Sequence, residues 1–219
     1  MTTTIDIAQL NDKYTALNPL QRISALYSDF DKVLFTSSFG TTSIILLNMI
    51  ASVNKNQKVY FLNTTYHFPE TLAYKQEITS KLGLQVVDLK PEYWNNQFTR
   101  QYEIYKTDPD LCCSINKTEP LNRVKAEHDV WISGIMGWQS NSRSKRNIFE
   151  EKDGIIKFHP LIDVDEAYIK AYMAENRLIT HPLTNKGFAS VGCIHCTSKG
   201  QRREGRWEGT LKTECGLHA

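Results

Sequence analysis

Residues 33–53 read Val-Leu-Phe-Thr-Ser-Ser-Phe-Gly-Thr-Thr-Ser-Ile-Ile-Leu-Leu-Asn-Met-Ile-Ala-Ser-Val. Val33 to Thr36 is a short apolar, β-branched run, which predicts a buried strand. Ser43 to Val53 is apolar almost throughout and longer than a typical strand, which predicts a buried helix. Ser37-Ser38-Phe39-Gly40 separates them and predicts a tight loop. A strand, a tight loop and a buried helix form the opening unit of an α/β fold.

The same alternation continues outward. A strand is expected at Val59 to Leu62, a helix from about Glu70 to Leu82 behind Pro69, and a strand at Leu84 to Leu89 beyond Gly83. A helix follows around Glu119 to His128, then a strand at Val130 to Ser133. A further helix is expected around Asp165 to Asn176, with Asp163 or Asp165 as its cap. The pattern predicts one α/β domain, a mainly parallel sheet flanked by helices. After about Leu178 the periodicity weakens, and the end reads as a loop-rich, mobile tail. The boundary is placed between residues 1–200 and 201–219.

Gross composition narrows the function classes. The formal net charge is only +2, so nothing global favours nucleic acid or an anionic membrane. The first ten residues carry Asp6 and no apolar run, so no signal or transit peptide is expected. The longest apolar stretch is far short of the roughly 20 residues that cross a bilayer. A soluble cytoplasmic protein is expected, and there its five cysteines stay mostly reduced, which favours metal binding or catalysis over disulfides.

Ligands in open α/β sheets bind beyond the carboxyl ends of the strands. Ser37 to Thr41, Asn63 to His67 and Gly134 to Arg143 are therefore expected to face one crevice. Backbone N–H groups of the first loop, with the helix N-terminus, suit a phosphate. On this segment alone, an ordinary turn capping the helix with Thr41 or Thr42 is equally consistent.

The cysteines divide as four plus one. Cys112-Cys113 and Cys193-x-x-Cys196 supply four thiolates, a set suited to zinc or an iron–sulfur cluster. Adjacent thiolates sit awkwardly around one ion, whereas a cubane offers separate iron corners, so [4Fe-4S] is favoured. Lys117, four positions after Cys113, could couple this set to the crevice. Cys215 stands apart, among Arg203, Arg206, Lys212 and His218. A catalytic thiol needs such positive neighbours, because an unperturbed one is only a few per cent ionised at neutral pH. The nineteen positions from Cys196 extend to at most roughly 60 Å, enough to reach both crevice and solvent.

Together these segments resemble the adenylyl-sulfate and phosphoadenylyl-sulfate reductase family of assimilatory sulfate reduction. The resemblance rests on Ser38-Phe39-Gly40, His67-Phe68-Pro69-Glu70-Thr71, Cys112-Cys113 with Lys117, Gln139-Ser140 with Arg143, Gly187 to Cys196, Arg203 with Arg206, and Glu214-Cys215-Gly216-Leu217-His218. It implies an adenine nucleotide alpha hydrolase-like fold and a catalytic Cys215. That thiol would attack the bound substrate, release the nucleotide and form an S-sulfocysteine that thioredoxin or glutaredoxin resolves to sulfite. It further implies that Ser37, Ser38, Phe39, Gly40, Thr41 and the backbone near Leu62 hold adenosine. Lys117, Arg143, Arg203, Arg206 and His218 would surround the phosphosulfate. The four-cysteine set resembles that of the branch that binds [4Fe-4S] and prefers adenosine 5′-phosphosulfate, giving AMP and sulfite. The 3′-phosphorylated substrate is the alternative, and a homo-oligomer is compatible with the resemblance. Met136 and Gly137 stand where the family commonly has arginines, Asn63 where it has aspartate, and Thr65 where it has glycine.

Two other classes remain open from sequence. A nucleotide-loop enzyme transferring sulfur to RNA would need a basic surface and a Ser-Gly-Gly-x-Asp-Ser loop, and neither is present. A zinc-stapled binding domain would leave Cys215 and the arginines without a use.

Overall fold

The computed structural model describes residues 5–210 and 212–218. In chain order these contain α1 (Ile7–Thr15), α2 (Pro19–Asp29), β1 (Val33–Ser37), α3 (Ser43–Val53), β2 (Lys58–Leu62), α4 (Pro69–Leu82) and β3 (Gln85–Leu89). Then come α5 (Tyr93–Gln101), α6 (Ile104–Thr107), α7 (Pro109–Cys113), a π-helical turn (Ser114–Thr118), α8 (Glu119–Lys125) and β4 (Val130–Ile132). The hairpin β5 (Phe149–Lys152) and β6 (Ile155–Phe158) and the helix α9 (Glu166–Glu175) complete the body.

The strands form one sheet of order β3-β2-β1-β4-β6-β5, parallel except for the β5–β6 pair. The chain winds outward from β1 through β2 to β3, then returns to lay β4 on the other side of β1. Strand order therefore reverses between β1 and β4, which opens a crevice beyond their carboxyl ends. α3 is apolar all round because it is buried, with Ile45, Leu47 and Met49 fully enclosed. α9 starts at Asp165, whose side chain accepts the Tyr168 N–H, one of the two caps anticipated.

The alternating unit from β1 to β3 matches the sequence expectation, and several pieces outside it do not. The two helices before β1 lie outside the expected elements. They are nonetheless well capped: Asp6 accepts from Ala8 and Gln9, and Asn18 with Gln21 makes a reciprocal box ahead of Pro19. The β5–β6 turn uses Asp153 and Gly154, both at positive φ (56° and 73°), a hairpin signal present in the sequence. The helix expected at Glu119 to His128 ends at Lys125 and is preceded by the π-helical turn that carries Lys117. The described residues after 200 are loop-rich, as expected, and fold back onto the body.

Candidate active site

A large pocket lies at the reversal point. Ser37, Ser38, Gly40 and Thr41 from the loop after β1 line it, with Leu62 at the end of β2. The loop's hydrogen bonds differ from the capping expected of Thr41 or Thr42. Ser43 Oγ accepts the Gly40 N–H at 3.0 Å, Thr41 Oγ1 donates to the Ala189 carbonyl at 2.8 Å, and Thr42 makes no side-chain cap bond. Phe39 sits differently from its loop neighbours. Its ring is fully buried edge-on against Phe61, so of the expected adenosine-binding residues it keeps its side chain out of the pocket. Its φ of 48° is the turn that sends the ring inward.

The loop after β2 contributes less than expected. From Asn63 to His67 only His67 reaches the pocket. Asn63 instead donates to Asp88 and accepts the Thr65 N–H, which holds Thr65 in the left-handed region at φ 67°. That conformation suits glycine, so Thr65 is tolerated at the strain this turn enforces.

From the loop after β4 come Gly134, Ile135, Trp138, Gln139 and Arg143. Met136 and Gly137 explain the missing arginines. Met136 is buried, and the Gly137 N–H donates to the Ile162 carbonyl at 2.8 Å, where an added Cβ would sit 2.7 Å from that same oxygen. No long cation fits there without moving the backbone.

The tail closes the pocket. Arg143, itself buried, donates Nε and Nη2 to Glu214 at 2.6 and 3.0 Å, and Arg203 Nη2 joins at 2.6 Å. Burial raises the pKa of the Glu214 carboxyl, but the Arg143 hydrogen bond and both guanidinium charges outweigh it and hold the group below the usual carboxylate range. Burial, reinforced by Arg143, pushes Arg203 down to about 10, still cationic at neutral pH. Arg206 lies over the Trp207 ring at 4.6 Å and donates to the Cys196 carbonyl at 3.3 Å. Beyond Cys215 the chain is held by Lys157, which donates to the Leu217 carbonyl at 3.0 Å, and by Arg146, which reaches the His218 carbonyl at 2.8 Å.

His218 lines the pocket, stacked on Trp131, but not as a cation. Burial first, then Arg143, His159, Lys157 and Arg203, drive its pKa far below the ordinary histidine value. It is a neutral group at physiological pH. Lys212, expected to help the thiol, is paired with Asp110.

Cys112, Cys113, Cys193 and Cys196 line one small adjoining cavity, beside Tyr66, Asn116 and Lys117. None of the five cysteines is bridged. Burial and the neighbouring sulfurs of Cys193 and Cys196 push the Cys112 thiol up to about 11. Among the described residues no three His, Cys, Asp or Glu side chains converge as ligands of one ion. Lys117 lines both cavities, with Nζ 3.7 Å from Cys113 Sγ. Burial opposes its charge, yet the sulfurs of Cys193, Cys215 and Cys113 outweigh that and keep it protonated.

Cys215 is half-buried, lines the large pocket and packs against the cluster that holds Cys112, Cys193 and Cys196. Its thiol is held well below the usual range by a hydrogen bond from Cys113, against burial, with help from Lys117, the Leu217 N–H and Arg206. The same bond, with burial, raises Cys113. Two site residues had no role in sequence. Glu214 meets its partner 71 positions away, and Lys157 sits inside an apolar strand whose buried charge was the available signal.

A family model, the phosphoadenosine phosphosulfate reductase domain, matches residues 32–199. The chain belongs to this family. Within it, the chain is 38% identical over 200 residues to the phosphoadenosine 5′-phosphosulfate reductase of Gloeobacter violaceus, covering 86% of this chain and 83% of that one. It is equally 38% identical over 199 residues to the adenosine 5′-phosphosulfate reductase of a Chelativorans species, covering 88% and 81%. Among solved structures, the phosphoadenylyl-sulfate reductase of Candida auris, in a phosphate complex, superposes with a TM-score of 0.77 at 26% identity, over 90% of this chain and 98% of that one. As a member of the family the chain is an oxidoreductase of sulfate reduction. No helix among its described residues is long and apolar enough to cross a membrane.

Proposed function

We propose that the chain reduces adenosine 5′-phosphosulfate to sulfite, releasing AMP, through a covalent intermediate on Cys215. The observation that carries this reading is that one pocket brings Cys215 together with the Ser37–Thr41 loop and with Arg143, Arg203 and Arg206. The thiolate attacks the substrate sulfur, the bond from sulfur to the bridging phosphate oxygen breaks, and AMP leaves with the electron pair. Cys215 is left as an S-sulfocysteine. A thiol of thioredoxin or glutaredoxin then attacks the cysteine sulfur and expels sulfite, and the partner's second thiol releases Cys215.

The substrate carries charge on both phosphate and sulfate, so an approaching thiolate is repelled unless fixed cations neutralise it. Arg203, Arg206 and Lys117 supply them. The backbone of the Ser37–Thr41 loop and Leu62 takes the adenosine, and His218, being neutral, serves as a hydrogen-bonding partner. Residues 1–200 act as the nucleotide-binding body and 201–219 as the segment that carries the nucleophile, with motion confined to the few residues around Glu214 and Cys215.

Four unbridged thiols line one cavity, a donor set that suits iron or zinc, and the adjacent Cys112-Cys113 pair, awkward around a single ion, favours a cluster of several metal atoms. Cys112, Cys113, Cys193 and Cys196 would hold a [4Fe-4S] cluster. When bound, it would supply a fixed charge centre beside Lys117. Cys113 as a ligand has no proton to give Cys215, and Lys117 and the Leu217 N–H then remain as the thiolate's partners. The cytoplasm, where such thiols stay reduced, is the compartment this chemistry requires.

The equal identity to a phosphoadenosine 5′-phosphosulfate reductase favours the 3′-phosphorylated nucleotide as a second reading. Rates on the two nucleotides decide between them. For the mechanism, mixing protein with adenosine 5′-phosphosulfate and no reductant should release about one AMP per chain and add a sulfonate mass to the tail peptide. Cys215→Ser should abolish both, and normal turnover by that variant would refute thiol attack.

A further inference from the structure

The oxyanion fork of the pocket is taken by the chain's own tail. Arg143 and Arg203 place three N–H groups at 2.6 to 3.0 Å from the two oxygens of Glu214. This is the bidentate arrangement with which arginine takes carboxylate, phosphate or sulfate. The Glu214 side chain is 5% exposed and that of Arg143 is 8%, so water scarcely screens the fork. A second anion entering it would meet Glu214 at close range in a medium of low dielectric constant. Glu214 and a substrate oxyanion cannot share the fork.

Glu214 is also joined to the nucleophile. The Cys215 N–H donates to Glu214 Oε1 at 3.0 Å. The segment is pinned on both sides, by the Lys212–Asp110 pair before it and by the bonds from Lys157 and Arg146 to the Leu217 and His218 carbonyls after it. Only the few residues between those pins are free to shift when the carboxylate leaves.

We propose that Glu214 is a positioning residue that holds the Arg143–Arg203 fork until the substrate's oxyanion displaces it, and that its departure releases Cys215 toward the reacting sulfur. The inference rests on the reading of the pocket as a nucleotide-sulfate site. It adds that the resting thiol is parked and is freed by the substrate anion itself, which links occupancy of the fork to the position of the nucleophile.

The test uses inorganic sulfate as its probe, which does not turn over. Calorimetric titration of Glu214→Gln should show sulfate binding about tenfold tighter than in wild type, since the competing internal charge is gone. Glu214→Asp, one methylene shorter, should give a smaller gain and provides the second measurement if the amide variant folds poorly. In the wild type, added sulfate should speed alkylation of Cys215 by iodoacetamide, and in Glu214→Gln that rate should already be high without sulfate. A merely structural role for Glu214 predicts the opposite, because a loosened pocket binds anions more weakly. Sulfate affinity that is unchanged or weaker in both variants overturns the proposal. Failure of the functional reading is distinguishable: it appears as no AMP release from adenosine 5′-phosphosulfate by wild-type protein.

Discussion

Gly192→Ala isolates one cation of the pocket without touching it. The Arg206 side chain crosses directly over Gly192, so an added Cβ would lie 2.6 Å from the guanidinium carbon and 2.8 Å from Nη1, distances that real Cβ contacts do not show. What must yield is the far end of a flexible side chain. The backbone stays, and the guanidinium turns away from the Cys196 carbonyl and from the Trp207 ring over which it lies. If Arg206 donates a charge-assisted pair to the substrate oxyanion, its displacement costs about 2 kcal/mol of binding, or roughly thirtyfold in KM. Thermal stability should fall only modestly, since one weak hydrogen bond and one cation–π contact are lost. The assay is initial-rate AMP release from adenosine 5′-phosphosulfate in Gly192→Ala, in Arg206→Ala and in the double variant. Because the alanine acts only through Arg206, the double variant should be no worse than Arg206→Ala alone. Additive losses, or an unchanged KM in Gly192→Ala, would show that Arg206 is not where the substrate anion binds.

Two further expectations concern the cofactor and the fold. Anaerobically purified protein should carry about four irons and four sulfides per chain, with brown absorbance, and Cys196→Ser should lose them; one zinc and no sulfide would favour the stapled-domain reading. His181, fully buried, accepts the Leu183 N–H at Nδ1 and pairs Nε2 with Thr71 Oγ1, so the fold requires its neutral form, and burial lowers its pKa to about 4. Its native pKa lies below the unfolded value near 6.5, so the unfolded chain binds more protons between those limits and stability is lost as pH falls through that window. Denaturant unfolding of wild type should lose about 2 kcal/mol from this group between pH 7 and 5, and His181→Asn should lose correspondingly less.

Much of the site was legible because its carriers are local. The strand, loop and helix from Val33 to Val53 announce themselves through a change of apolar pattern within 21 residues, and backbone geometry then obliges the loop to open at the sheet's edge. The cysteine pairs were legible for a similar reason, since thiols at short spacing suggest shared ligation whatever surrounds them. The inward turn of the Phe39 ring was not legible, because spacing says which residues lie on a loop, whereas the sign of φ says which way a ring turns. The charge state of His218 was not legible, because a residue type gives only an intrinsic pKa, and burial among Arg143, Lys157 and Arg203 favours its neutral form.

The order of apolar and small residues by itself determined a mainly parallel α/β sheet with a phosphate-suited loop, and cysteine spacing set four thiols apart from Cys215. Only the tertiary structure decided that Glu214 sits on Arg143, that Lys157 and Arg146 pin the carbonyls after Cys215, and that Lys117 stands between two cavities. The reason is one of range. Propensity and periodicity act between near neighbours, but charge pairing and burial act through space, between groups that only the closed fold brings together.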